Sequence, residues 1–165
     1  MFLQKLKTFF LILTILGTFF LIYNWYDNYQ FKNNPLNQTI IETINTKHKE
    51  LEILTYQKFN IKRKIPVIIS EKMPSKLYGA ATYSKSGQIQ IFLNKKHFQE
   101  SLEYMIDDVL PHEYAHALMF IYGKTTNQNG GHTLKWQNIC KSLNGSRCDR
   151  FVNHNDIIMG KTNFF

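Results

Sequence analysis

The residues best suited to chemistry are His112-Glu113-Tyr114-Ala115-His116, with a further histidine downstream in Gly130-Gly131-His132. Two histidines at i and i+4 of a helix share one face, with side chains about 6 Å apart. That separation lets both imidazoles hold one Zn²⁺ at about 2.0–2.1 Å. Glu113 steps round the helix from His112, so its carboxylate stands beside the metal without binding it and can take a proton from water. With His132 as third ligand the fourth position falls to water, the arrangement of a catalytic site. The candidate metal ligands are therefore His112, His116 and His132, the candidate catalytic residue is Glu113, and the expected cofactor is Zn²⁺. Three imidazoles also suit other divalent ions.

The chemistry requires these histidines to sit on a helix. Leu102, Met105, Ile106, Val109, His116, Ala117 and Phe120 recur at helical spacing, and Gly123 is a fitting stop signal. A hydrogen-bonded histidine pair would explain His112 and His116 alone, and a loop position would explain His132 alone. The three together favour the metal. Pro111 removes a helical hydrogen bond and crowds the carbonyl four residues back, which predicts a kink or break just before His112.

The remaining elements must position this helix. Residues 37–59 keep a helical period through Ile40, Ile41, Ile44, Leu51, Leu54 and Thr55. Ile65-Pro66-Val67-Ile68-Ile69 reads as a short strand, with the proline at its start or on an edge. Residues 78–84 and 88–93 flank Lys85-Ser86-Gly87 as a hairpin, and the second run alternates polar and apolar residues. That alternation predicts an edge strand able to pair with an extended peptide. Helix is expected over 101–122. A polar Gly/Asn loop comes next, at 125–131. The last helix, about 133–143, turns Trp136, Ile139, Cys140 and Leu143 inward and stops at Asn144-Gly145. The fold class is α+β and zincin-like: a small sheet of about three strands against an active-site helix and two further helices, plus an N-terminal transmembrane helix.

Residues 8–23, TFFLILTILGTFFLIY, carry no charge. As a helix they span about 24 Å, short of the ~30 Å hydrocarbon core. Lys7 snorkelling on one side and Trp25 and Tyr26 at the interface on the other make up the difference. A single-pass anchor is the favoured reading over a cleaved signal peptide or a buried core helix. Lys5 and Lys7 before the span outweigh Asp27 and Lys32 after it, which puts the N-terminus in the cytoplasm and the catalytic domain outside, in the periplasm or extracellular space. The expected organisation is an anchor over 1–32 and a catalytic domain over 33–165.

That domain has room for one core and no more. The net charge of +8 permits a nucleic-acid face, but a solvated surface or attraction to anionic lipid is favoured. Cys140 and Cys148 either close a short disulfide loop, as an oxidising compartment allows, or remain free thiols.

The chain resembles the SprT-like zinc metalloproteases, the group that includes Spartan-type DNA–protein crosslink proteases. The resemblance covers about 77–148. It rests on Tyr78-Gly79-Ala80-Ala81-Thr82-Tyr83, Ile89-Gln90-Ile91-Phe92-Leu93-Asn94, Val109-Leu110-Pro111-His112-Glu113-Tyr114-Ala115-His116-Ala117, and Gly131-His132 with Trp136. It implies zinc held by the three histidines, Glu113 as general base and acid, and hydrolysis of a protein or peptide substrate. Thr133 stands where the family usually has glycine. A Cys-rich ribbon is missing, and an anchor is atypical of the crosslink-repair members, so a DNA-linked substrate is not favoured. Tyr83, Tyr114, Tyr122 and His154 are the candidates for stabilising the oxyanion, and Met159 is a candidate packing residue under the site. The alternatives to a membrane-held zinc peptidase are a cytosol-facing, DNA-associated protease and an inactive membrane-tethered binding protein.

Overall fold

A computed structural model describes residues 2–84, 86–123 and 131–148. The chain divides into two compact units, Met1–Leu36 and Asn37–Phe165.

The first unit is helix α1 (Phe2–Asn33), with no buried residue. It is long and apolar enough to cross a membrane. Its three threonine hydroxyls are satisfied within the helix. Thr8, Thr14 and Thr18 donate to the carbonyls of Gln4, Phe10 and Thr14 at 3.0, 2.8 and 2.8 Å. Such back-bonding lowers the cost that a hydroxyl would carry in an apolar medium.

The second unit begins with α2 (Gln38–Phe59). The Asn37 side chain accepts from the Thr39 N–H at its start, and Asn60 ends it in the left-handed region at φ 54°. Ile44, Leu51 and Thr55 are its buried stripe.

Three strands come after it: β1 (Val67–Ser70), β2 (Gly79–Tyr83) and β3 (Ile89–Asn94). The order across the sheet is β1-β3-β2. β1 runs parallel to β3, with Val67 opposite Ile91, and β2 runs antiparallel to it, with Ala81 opposite Ile91. The β2–β3 turn closes through the Ser84 N–H to the Gln88 carbonyl, with Gly87 at φ 82°, a conformation that glycine takes without strain. Ile89, Ile91 and Leu93 alternate inward and are fully buried. One expectation is overturned. The run 88–93 is the central strand, not an edge, because β1 pairs with its other side; the edge beside the hairpin is β2.

Asn94 ends β3 and joins it to the next helix. Its side-chain oxygen accepts from the Lys96 N–H, capping α3 (Lys95–Glu100). Its amide donates to the carbonyls of Pro74 and Leu77 at 3.1 and 2.7 Å, fixing the approach to β2. Helix α3 is an addition to the expected elements, whereas the single turn α4 (Leu102–Tyr104) opens the helix expected over 101–122.

The predicted helix over 101–122 is not broken at Pro111. Instead Met105–Val109 forms a π turn that runs directly into α5 (Leu110–Ile121). The Leu110 N–H reaches the Met105 carbonyl, five residues back. Pro111 has no N–H to give and its ring needs space, and a widened turn supplies that space without ending the helix. Helix α5 stops at Gly123, φ 67°.

Helix α6 (Leu134–Ser142) starts on the Thr133 side chain. It ends with Asn144 at φ 59°, the Asn144 N–H on the Lys141 carbonyl and the Gly145 N–H on the Cys140 carbonyl. This pair of bonds is a Schellman stop. Cys140 and Cys148 are joined in a disulfide, which decides between the two readings of the cysteines. The loop expected at 125–131 lies outside the described residues except for Gly131, as do His154 and Met159.

The buried Asn94 amide generates a prediction. Asn94→Ala leaves the Pro74 and Leu77 carbonyls without their donor, which costs about 1–3 kcal/mol. The expected result is a lower urea midpoint with an unchanged slope. An unmoved midpoint would mean that the amide does not hold this loop.

Candidate metal centre and active site

Helix α5 places His112 and His116 on one face, and His132 arrives immediately before the Thr133 cap of α6. The three Nε2 atoms lie 3.3 Å (His112–His116), 3.2 Å (His116–His132) and 3.1 Å (His132–His112) apart. A tetrahedral ion with bonds of 2.0–2.1 Å holds its ligand nitrogens about 3.3–3.4 Å apart. The triangle therefore fits one such ion, and the three histidines form a group able to hold a metal.

Their protonation suits that use. Burial, with His132 nearby, pushes His112 down to about 4. Burial, with His112 and His132 nearby, pushes His116 down to about 3. Both rings are neutral at pH 7, as metal ligands must be.

Trp136, fully buried on α6, is the floor beneath all three. Its ring centroid is 4.6 Å from that of His112, 5.0 Å from His116 and 4.5 Å from His132. The helical period of α6 marked this residue as inward-facing. Nothing in that period says that the inward direction is the underside of the histidine cluster.

Glu113 is buried, and the Ala81 N–H donates to its Oε2 at 2.8 Å. The Asn94 N–H to Tyr78 carbonyl bond and the Ser84 N–H to Gln88 carbonyl bond fix which backbone groups of β2 face β3. By alternation Gly79, Ala81 and Tyr83 direct theirs outward. The outer edge of β2 thus meets the carboxylate. Burial raises the Glu113 pKa to about 7 against the lowering effect of the Ala81 N–H.

Gly79 makes this contact possible. A Cβ there would stand 2.7 Å from Glu113 Cγ, 3.0 Å from Val109 Cγ1 and 3.1 Å from Glu113 Oε1. Sequence reasoning included Gly79 and Ala81 in a motif but gave them no role. Their signal was a run of small residues in a strand, which also has bland explanations.

The oxyanion candidates separate. Tyr114 is buried on another face of α5, its ring 5.7 Å from His48 of α2. Burial, with Glu52 nearby, drives its phenol pKa far upward. It belongs to the core. Tyr83 is exposed at the end of β2, 6.0 Å from the Phe120 ring, and Tyr122 is partly exposed under the Lys135 ammonium at 3.9 Å.

The SprT-like family model matches residues 38–156, and the chain belongs to that family. The match starts at the first residue of α2, well before the stretch of about 77–148 that the motifs suggested. No curated protein and no solved structure matches the chain significantly.

The buried imidazoles set an acid limit on the metal-free protein. The folded pKa values of His112 and His116 lie below the ordinary 6.5. The unfolded chain therefore binds more protons as pH falls through 6.5, and folding stability falls with it. Glu113, raised from 4.5, works in the opposite sense between its two values, and Asp108, raised from 3.8 by burial, does so only at the acid end, so the two histidines dominate between about 6.5 and 4.5. In a chelator, the melting temperature should drop progressively as pH is lowered from about 6.5 towards 4.5. A flat profile would show that these rings are not buried as described.

Proposed function

We propose that this SprT-like chain is a zinc-dependent metalloendopeptidase, held by α1 at a membrane with its catalytic domain on the extracytoplasmic side. The observation that carries the reading is the convergence of His112, His116 and His132 through Nε2 beside a buried Glu113. The zincin arrangement expected from sequence is part of the same proposal.

A zinc ion held by the three histidines supplies Lewis acidity, polarising the scissile carbonyl and acidifying water. Glu113 takes the proton from the attacking water and returns it to the leaving amine nitrogen. Burial raises this carboxylate's pKa in the metal-free site and a cation beside it would lower it again, which keeps Glu113 ionised to accept the proton and basic enough to hold it. The Ala81 N–H holds the carboxylate in one orientation, and Gly79 leaves space for it. Apart from the Ala81 N–H, which Glu113 occupies, the outer edge of β2, unpaired among the described strands, offers backbone groups to an extended peptide. This role passes to β2 from β3, which is enclosed on both sides. Tyr83 and Tyr122 are the described candidates for meeting the oxyanion.

Two independent features support the location. Lys5 and Lys7 precede the apolar span, and the positive flank stays in the cytoplasm. The Cys140–Cys148 disulfide persists in oxidising compartments. A protein or peptide near a membrane is therefore favoured as substrate over a DNA-linked one.

Glu113→Gln should retain zinc, measured by metal analysis of the purified chain, and lose nearly all cleavage of a casein-like substrate. A zinc-loaded wild type no more active than Glu113→Gln would favour a binding protein instead. Gly79→Ala displaces the same carboxylate from its other side. It should also keep its zinc while cleavage falls about 100-fold, the scale of a 1 Å misplacement. Wild-type cleavage by Gly79→Ala would remove the crowding at Gly79 from the mechanism.

A further inference from the structure

The Cys140–Cys148 bridge ties α6, which follows His132, to the loop after that helix. Cys140 and Trp136 are one turn apart on α6 and both fully buried, and Trp136 touches all three histidine rings. The chain between the cysteines is drawn tightly over the bridge. A Cβ on Gly145 would meet Cys140 Sγ at 2.8 Å and Cys148 Sγ at 3.2 Å.

That loop reaches the other ligand helix. Ser146 Oγ donates to Asp108 Oδ1. The Arg147 backbone N–H also donates to the Asp108 carboxylate, with the Arg147 charge nearby. Asp108 belongs to the π turn that leads into Leu110, Pro111 and His112. Its neighbour Asp107 pairs with Lys47 of α2 at 3.2 Å. A π turn has poorer internal hydrogen bonding than the α-helix it interrupts, so contacts from outside decide where it settles. Here those contacts are a pair of aspartates gripped from two sides.

We propose that Asp108 and the Cys140–Cys148 bridge are positioning residues of the metal site. They fix the turn ahead of His112 relative to α6, and so set how tightly the three imidazoles hold their metal. The inference rests on the metal-site reading above. The route is continuous: His112 to the π turn, Asp108 to Ser146 and Arg147, Cys148 to Cys140, and α6 back to Trp136 beneath the rings. Groups that orient metal ligands from behind typically contribute 10–100-fold to metal affinity.

The test is the Zn²⁺ dissociation constant of the full chain in detergent micelles. It is measured by competition with a chromophoric chelator, at a temperature where circular dichroism shows each variant folded. Asp108→Ala should weaken zinc binding by about 10–100-fold. Asp108→Asn keeps an acceptor for Ser146 and Arg147 and should recover most of the affinity. Cys140→Ser with Cys148→Ser should weaken binding similarly. Adding Asp108→Ala to that pair should weaken it little further, because both act through one loop. A purely structural role would lower the melting temperature and leave the native-state constant alone. Folded variants with the wild-type constant, or effects that simply multiply, would overturn the proposal. If the cysteine pair fails to fold, Asp108 and Ser146→Ala at the half-exposed end of the route decide it. A wild type that binds no zinc would overturn the metal reading itself.

Discussion

Three imidazole nitrogens within 3.3 Å of one another do not hold themselves there. Each ring leaves water on burial, and three lone pairs aimed at one point repel until a cation shares them. The protein must impose the arrangement from outside, and much of the second unit serves that end. Helix α5 supplies the i, i+4 pair on a rigid backbone. The Thr133 cap sets where α6 begins, and so where His132 stands. Trp136 supplies a flat apolar floor that all three rings touch. The depressed pKa values of His112 and His116 are the electrostatic trace of the same burial.

The carboxylate beside the cluster depends on a different constraint, that of small residues. Glu113 is buried against β2, and only a strand with Gly79 at the contact and an outward N–H at Ala81 can approach it. The N–H compensates in part for the water that Glu113 has lost, and the missing Cβ allows the approach. A bulkier strand would pair with β3 equally well and would exclude the carboxylate. The weak strand-forming character of Gly79-Ala80-Ala81 is thus a consequence of the site it serves.

Much of this could be read from the chain. The histidine spacing and the apolar period placed His112 and His116 on one face, Gly87 marked the hairpin, and Asn144-Gly145 marked the end of α6. What escaped was decided by contacts between distant segments. The alternation in 88–93 reports one buried face but not how many neighbours a strand has, and β1, arriving parallel from before the hairpin, made β3 central. Pro111 announced a disturbed helix. Whether it becomes a kink, a break or a π turn depends on what surrounds residues 105–109, and that includes Lys47 and Ser146. Tyr114 lies next to Glu113 in sequence, yet helical rotation carries it to the face against His48. The cysteine spacing allowed a bridge or two thiols, and the Cα separation of 5.7 Å is what permits the bridge.

The same dependence explains why the π turn and the disulfide loop occur together. A regular α-helix through residues 105–121 would bring the Pro111 ring against the carbonyl of Asp107. Widening the helix by one residue relieves that contact but rotates everything before it relative to His112 and loosens the local hydrogen bonding. Asp107 and Asp108 fall on the widened turn, where one meets the ammonium of Lys47 and the other the hydroxyl of Ser146. A flexible loop end would be a poor partner for this purpose, since its own ordering entropy opposes the contact. Closing that loop by a disulfide removes part of this freedom in advance. The proline that disturbs α5 and the bridge far along the chain are therefore two halves of one solution to placing His112.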